Sequence, residues 1–116
     1  MSTRATILIK KKRYNDEVRI YHHCDGYPEG VGHDLKEYLK GVKWWDVYDI
    51  ANELIKGKCG NKDDGYELTP CQHGDENYAY LIDCDAKEMI CYKVGWDEFE
   101  WKDEKIVERW KYDKMG

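Results

Sequence analysis

The sequence predicts an α+β domain: an antiparallel sheet of about five strands, in the order ββααβββ, with two helices packed on one face. Two observations predict it. Apolar and polar residues alternate in segments near both ends of the chain, which is typical of half-buried strands, and two segments between them carry apolar residues at helical spacing. Neighbouring strands are joined by turn residues, so we expect hairpins. With 116 residues and no linker, the chain predicts one domain over residues 1–116.

The first two strands are predicted to form an N-terminal hairpin. Alternation runs from residue 3 to about residue 13 and again over residues 18–22, and the Asn-Asp pair at 15–16 supplies turn chemistry. The basic run at 10–13 (Lys-Lys-Lys-Arg) falls at the tip of this hairpin. We interpret these four charges as a solvated hairpin end that also discourages edge-to-edge pairing.

Two short helices and a second group of strands follow. The first helix is indicated by Leu35, Tyr38 and Leu39 at i, i+3 and i+4, with Gly41 as its C-terminal stop. The second begins near residues 44–46 and is ended by Gly57.

Later in the chain, Pro70 places the strand before it at a sheet edge, because proline cannot donate to a strand ladder. Residues 78–83 and 90–94 then form a hairpin around 85–87, whereas the tail at 96–112 fits a strand or a helix turn equally well.

Composition narrows the classes of function. The net charge of -5 and the pI near 5.4 argue against direct binding of nucleic acid, which needs a basic footprint. No apolar run approaches the roughly 18 residues that span a bilayer, and the N-terminus lacks the apolar region of a secretory signal. We therefore expect a cytoplasmic protein with no membrane partner. Its five Cys lack CxxC spacing, so we expect most of them to be reduced thiols.

The segment 21–35 concentrates the chemistry of the chain, with three His, one Cys, three carboxylates and several Gly between a strand and a helix. One interpretation is structural: Asp-Gly and Pro-Glu-Gly are turn sequences, and Gly32 or Asp34 could cap the helix. A second is anion recognition, in which Gly-x-Gly amides meet an anion beside Arg4 while Tyr27 stacks on a base. On the second interpretation the ligand-binding residues are Arg4, His23, Asp25, Tyr27, Glu29, Gly30 and Gly32.

A third interpretation of this segment is metal-dependent or carboxylate-dependent hydrolysis by His22, His23, Asp25 and Glu29. In an extended strand His22 and His23 point to opposite faces, and no established metal-ligand spacing is present, so we expect neither a metal nor a cofactor.

Aromatic residues offer a separate candidate surface. Trp44 and Trp45 are adjacent near a helix start, so one of them is expected to be at least partly exposed. Trp101 lies among acidic residues in the tail. If the target is a protein, we expect Trp44, Trp45 and Trp101 to form the contact surface. The alternative is that these rings only cover the small core.

Ser2-Thr3-Arg4 and the octapeptide at 25–32 (Asp-Gly-Tyr-Pro-Glu-Gly-Val-Gly) resemble a family of small uncharacterised phage and bacterial proteins. The family opens with Gly-Thr-Arg and carries Asp-Gly-Tyr-Pro-Glu-Gly-x-Gly after its second strand, so Ser2 and the pair at 23–24 depart from its pattern. The resemblance covers about the first 40 residues. It implies that the gene comes from a phage or mobile element. It assigns no catalytic role to any residue.

The context that this resemblance implies, together with the lack of a catalytic motif, leads us to expect a non-enzymatic binding protein that antagonises a bacterial defence system in the host cytoplasm. It would act as an anti-CRISPR-type protein inhibitor or sequester a signalling nucleotide, so its partner would be a bacterial defence protein or a small anionic nucleotide. The alternative is the small hydrolase based on His22, His23, Asp25 and Glu29. An exposed Trp and the strand edge at Pro70 are compatible with a homodimer.

Overall fold

The computed structural model describes residues 3–23, 25–59, 65–70, 76–94 and 101–112. They form a mixed six-stranded sheet with two α-helices, which confirms the α+β class. The strands lie side by side in the order β3-β2-β1-β4-β5-β6. The elements are β1 (Ala5–Lys11), β2 (Asp16–His22), α1 (His33–Lys40), α2 (Val47–Ile55), β3 (Tyr66–Leu68), β4 (Tyr78–Asp83), β5 (Glu88–Lys93) and β6 (Ile106–Lys111).

The expectation of a purely antiparallel sheet is wrong at its centre. β1 and β4 pair in parallel, with Ala5 opposite Tyr78 and Ile9 opposite Ile82, whereas the other neighbouring pairs are antiparallel. The reason is that β3 pairs with the outer side of β2, so the chain must return to reach the free side of β1. Thr69 bonds to Arg19 at one end of that return, and Asn77 bonds to the carbonyl of Arg4 at the other.

The sheet has one strand more than the sequence predicted. The tail, for which strand and helix remained open, contains a short 3-10 turn at Asp103–Lys105 and then β6, which pairs with β5. The first part of this tail, residues 96–100, lies outside the described residues. At the other edge, β3 is followed by Pro70, so the predicted edge position of this strand is confirmed.

Both helices pack on one face of the sheet, as predicted. Leu35 and Leu39 of α1 and Ile50 and Leu54 of α2 are buried against the central strands. β1 is buried along residues 5–9 because β2 and β4 flank it and both of its faces are covered. Burial of these apolar side chains is the main stabilising term, at about 25 cal/mol for each Å² removed from water.

The other face of the sheet carries a smaller apolar cluster around Ala79, Ile90 and Tyr92, with Trp101 packed edge-on against Tyr92 at 5.0 Å between ring centres. A polar pair lies buried on the same face. Thr6 donates its hydroxyl hydrogen to the carboxylate of Glu76, and both side chains are almost fully inaccessible. Because Glu76 comes just before β4, this bond attaches the start of β4 to β1.

Turns and thiols agree with the sequence at the positions that the structure describes. Asn15 adopts φ 58° at the hairpin turn, and Asp46 caps α2 by accepting the backbone N–H of Asp49 at 3.0 Å.

Cys59, Cys84 and Cys91 are free thiols, and burial raises the pKa of Cys84 and of Cys91 to about 12. Cys24 and Cys71 lie outside the described residues. Among the helices of the described segments, none has the length and apolar character needed to cross a bilayer.

Candidate functional site

The loop at 25–32 is bonded to the residues just before β1 and to a side chain of β4. The N–H of Gly26 donates to the carbonyl of Thr3 at 2.8 Å, and the buried hydroxyl of Tyr80 donates to the carbonyl of Gly26 at 2.6 Å. The chain then forms a π-helical turn, Pro28–Gly32, that runs directly into α1. Gly32, one of the two residues predicted to cap α1, occupies its N-cap position in helical backbone conformation, with no side-chain cap hydrogen bond.

Two glycines of this loop are required by close packing. A Cβ on Gly26 would lie 2.8 Å from the carbonyl carbon of Arg4, and a Cβ on Gly30 would overlap the carbonyl oxygen of Asp25. The N–H of Val31 donates to that same oxygen at 2.7 Å. These contacts support the structural interpretation, because the glycines are explained by contacts within the chain.

Asp25 has a backbone role that an alanine substitution would disturb. Its φ of 52° lies in the left-handed region, where Asp, Asn and Gly are tolerated. We expect Asp25→Ala to lower the free energy of unfolding by about 1 kcal/mol and Asp25→Gly to leave it nearly unchanged, as measured by urea denaturation. If both variants lose stability equally, the carboxylate and not the backbone is responsible. A binding assay of this loop should therefore use Asp25→Gly, because its backbone is unstrained.

The structure brings Asp25, Tyr27 and Gly30 together within the loop and gives the other predicted ligand residues separate partners. The backbone of Arg4 bonds to Asn77, whereas His23 forms a 2.8 Å pair with Glu67 of β3. Glu29 lines a small cavity of about 250 Å³ at the start of α1, beside His33 and Lys36. Tyr27 bonds to Asp25, Gly30 packs against Asp25, and Gly32 is buried beneath Tyr80.

The histidines proposed for hydrolysis point to opposite faces of the sheet, as expected for adjacent strand residues. His22 is buried with its ring centre 4.4 Å from that of Tyr66, and His23 is exposed with its ring edge-on to Tyr21. Across the described ranges, no group of three or more His, Cys, Asp or Glu side chains is placed to hold a metal ion.

The three candidate tryptophans do not share one surface. Trp44 is 79% exposed, whereas Trp45 is 8% exposed and packs against Tyr112, so the expectation that at least one of the pair is exposed is confirmed. Trp101 belongs to the cluster on the far face of the sheet. Trp44 is thus on the helix side of the molecule, separated by the sheet from Trp101.

Two further exposed tyrosines lie at the tip of the N-terminal hairpin and on α2. The hydroxyl of Tyr48, on α2, bonds to Asp16 at 3.2 Å, and the ammonium of Lys11 lies 5.2 Å from the ring centre of Tyr14. Lys11 also reaches the carbonyl of Trp45 at 3.4 Å, which brings the hairpin tip beside the α1–α2 connection. Tyr14 is 62% and Tyr48 is 55% exposed.

A groove of about 620 Å³ opens beside Trp44, between the end of α1 and the outer side of α2. At its base Tyr38 donates a 2.5 Å hydrogen bond to Glu53, and burial, followed by this bond, raises the pKa of Tyr38. The pKa shift means that Tyr38 remains a neutral donor. We call this the helix groove; it is lined by Tyr38, Gly41, Val42, Lys43, Trp44, Asp49, Asn52, Glu53, Lys56 and Lys58.

The helix groove was not predicted from the sequence, although a signal for it is present. Asp49, Asn52, Glu53 and Lys56 recur at i, i+3, i+4 and i+7, which places them on one side of α2, away from the buried stripe. Such a polar stripe is also what any solvated helix face shows. Only its position beside Tyr38 and Trp44 makes it one wall of a groove.

Comparison of the chain with protein-family models, with curated proteins and with solved structures found no match in any of the three.

Proposed function

We propose that this protein is a non-enzymatic binding protein that acts by stoichiometric occupation and uses the surface centred on Trp44. The observation that carries the proposal is the 79% exposure of Trp44 at the mouth of the helix groove. A tryptophan buries a large apolar area on contact, and Trp and Tyr are the residues most enriched where binding energy concentrates.

The loop at 25–32 is a weaker candidate for the binding surface, because several of its groups already contact other parts of the chain. Its glycines pack against the backbone of Arg4 and Asp25, and the hydroxyl of Tyr80 binds its carbonyl at Gly26. The loop serves as the attachment of α1 to the sheet. The helix groove, by contrast, is lined by an indole, an amide, two carboxylates and three ammonium groups.

The proposed role is antagonism of a bacterial defence system in the host cytoplasm, with a phage or mobile element as the source of the gene. This part of the proposal rests on the resemblance of residues 2–4 and 25–32 to small phage and bacterial proteins. A binding protein of this size would act by occupying a defence protein or by removing the nucleotide that activates one.

The test is phage plating on a set of bacterial strains that each carry one defence system and express the protein. We expect plating to rise in at least one strain and Trp44→Ala to remove the effect, because truncating a central tryptophan costs about 2 kcal/mol or more, roughly 30-fold in affinity. Leu68→Ala is the matched control, since Leu68 is an exposed apolar residue on β3. Equal protein levels are verified by immunoblot.

Two results would overturn the proposal. If plating rises in none of the strains, the protein does not antagonise defence. If Trp44→Ala retains the full effect while Tyr27→Ala removes it, the binding surface is the loop at 25–32.

A further inference from the structure

We propose that the helix groove binds a nucleotide, with the base stacked on Trp44 and the phosphates held by lysines. This inference rests on the proposed function, because it names the ligand of the same surface. A nucleotide needs an aromatic ring for its base and cations for its phosphates, and both line this groove. The exposed indole of Trp44 suits the base, and Lys43, Lys56 and Lys58 suit the phosphates.

The shape of the site favours a small molecule. A volume of about 620 Å³ falls within the roughly 300–1,000 Å³ of small-molecule sites. The groove is a concave space between α1 and α2, and its base is set by the bond between Tyr38 and Glu53. This bond holds the side chains of Tyr38 and Glu53 in place before a ligand binds.

Charge at the groove is opposite in sign to that of the whole molecule. Three lysines and two acids line it, which gives a formal charge of +1, whereas the chain carries -5. One of the acids, Glu53, already accepts a hydrogen bond from Tyr38. A local excess of ammonium groups on an acidic protein favours an anionic ligand at this place.

The remaining polar groups suit a base or a sugar. Asp49 and Asn52 lie on the outer side of α2 between the tryptophan end and Lys56. The carboxylate of Asp49 accepts hydrogen bonds, and the amide of Asn52 both donates and accepts. Stacking on an indole tolerates any base, so these two side chains would supply the selectivity.

The test is isothermal titration calorimetry of the full chain with ATP and GTP, and with adenosine and tripolyphosphate as probes that lack the phosphates or the base. We expect at least one nucleotide to bind, and we expect adenosine and tripolyphosphate to bind at least about tenfold more weakly than that nucleotide. The reason is that the base and the phosphates each contribute their own contacts. The ligand should be recovered unchanged after denaturation, since no bond is made or broken.

Variants separate the two halves of the site. Trp44→Ala should weaken nucleotide binding by about tenfold or more and leave the weak binding of tripolyphosphate unchanged. The double variant Lys56→Gln, Lys58→Gln should weaken nucleotide binding and flatten its dependence on salt, because fewer charge pairs remain to be screened. Lys111→Gln, on the exposed β6, is the control and should bind like the original chain.

Three outcomes would overturn the inference. They are no binding of either nucleotide at millimolar concentration, equal binding of ATP and tripolyphosphate, and unchanged nucleotide affinity of Trp44→Ala. If nucleotides fail to bind while Trp44→Ala still abolishes the rise in phage plating, the proposed function stands and its partner is a protein. If nucleotides bind as expected but plating never rises, the site is real and antagonism of defence is rejected.

Discussion

Gly30→Ala is expected to lower the free energy of unfolding by about 3 kcal/mol, or to prevent folding at 37 °C. The added Cβ would overlap the carbonyl oxygen of Asp25 and approach the Cβ of the same residue to 3.1 Å. That carbonyl accepts the N–H of Val31, so it cannot move away without breaking the bond that closes the loop. Backbone atoms give way less readily than the end of a flexible side chain, and so the cost is high.

Gly41→Ala is the matched control for Gly30→Ala. Gly41 has a φ of -97°, which any residue adopts, and a Cβ there would meet only the carbonyl oxygen of Tyr38 at 3.8 Å, an ordinary contact. We expect its stability to stay the same or to rise by up to about 1 kcal/mol, because alanine has fewer conformations in the unfolded chain. Urea denaturation followed by circular dichroism measures both variants. A Gly30→Ala protein as stable as the Gly41→Ala protein would show that the loop is not packed as described.

Thr6→Val is expected to lower the free energy of unfolding by about 2 kcal/mol. The substitution preserves shape but removes the hydroxyl that donates to Glu76, and a buried carboxylate that loses a hydrogen-bond donor pays for incomplete solvation. The effect is large because Thr6 is inaccessible and Glu76 is only 4% exposed, which leaves little access for water to replace the hydroxyl.

A double-mutant cycle with Glu76→Gln isolates this bond. The amide oxygen of a glutamine can still accept from Thr6, so we expect the cost of Thr6→Val to be smaller in the Glu76→Gln protein than in the original chain. An equal cost in both backgrounds would mean that the charge of Glu76 is not what the hydroxyl stabilises. No cost in either background would show that the attachment of β4 to β1 does not depend on this pair.

The helices were predictable because their signals are local. The apolar spacing and the stop at Gly41 correctly placed α1, and the predicted start near residues 44–46 and stop at Gly57 lie within two or three residues of the ends of α2. Alternation likewise placed β1 and β2, and the turn around Asn15 has the backbone conformation that a turn of this kind favours. Each of these features depends on residues that are only a few positions apart in the sequence.

The candidate surfaces were predictable only in part. Adjacent tryptophans at 44 and 45 indicate that one is exposed, but the pattern cannot tell which, because that depends on Tyr112 at the far end of the chain. Similarly, Trp101 and Trp44 are both aromatic positions in the sequence, and the sheet places them on opposite faces. The groove beside Trp44 needs Tyr38 and Glu53, which come from different helices.

By itself the sequence determined the α+β class, the two helices, the N-terminal hairpin and the edge position before Pro70, because periodicity and turn chemistry act over short distances. Only the tertiary structure decided the parallel pairing of β1 with β4 and the place of β6. It also decided that the loop at 25–32 packs on β1 while Trp44 borders a groove. The physical reason is that pairing partners and groove walls come from segments far apart in the chain, and their contacts are selected by how the whole core is buried.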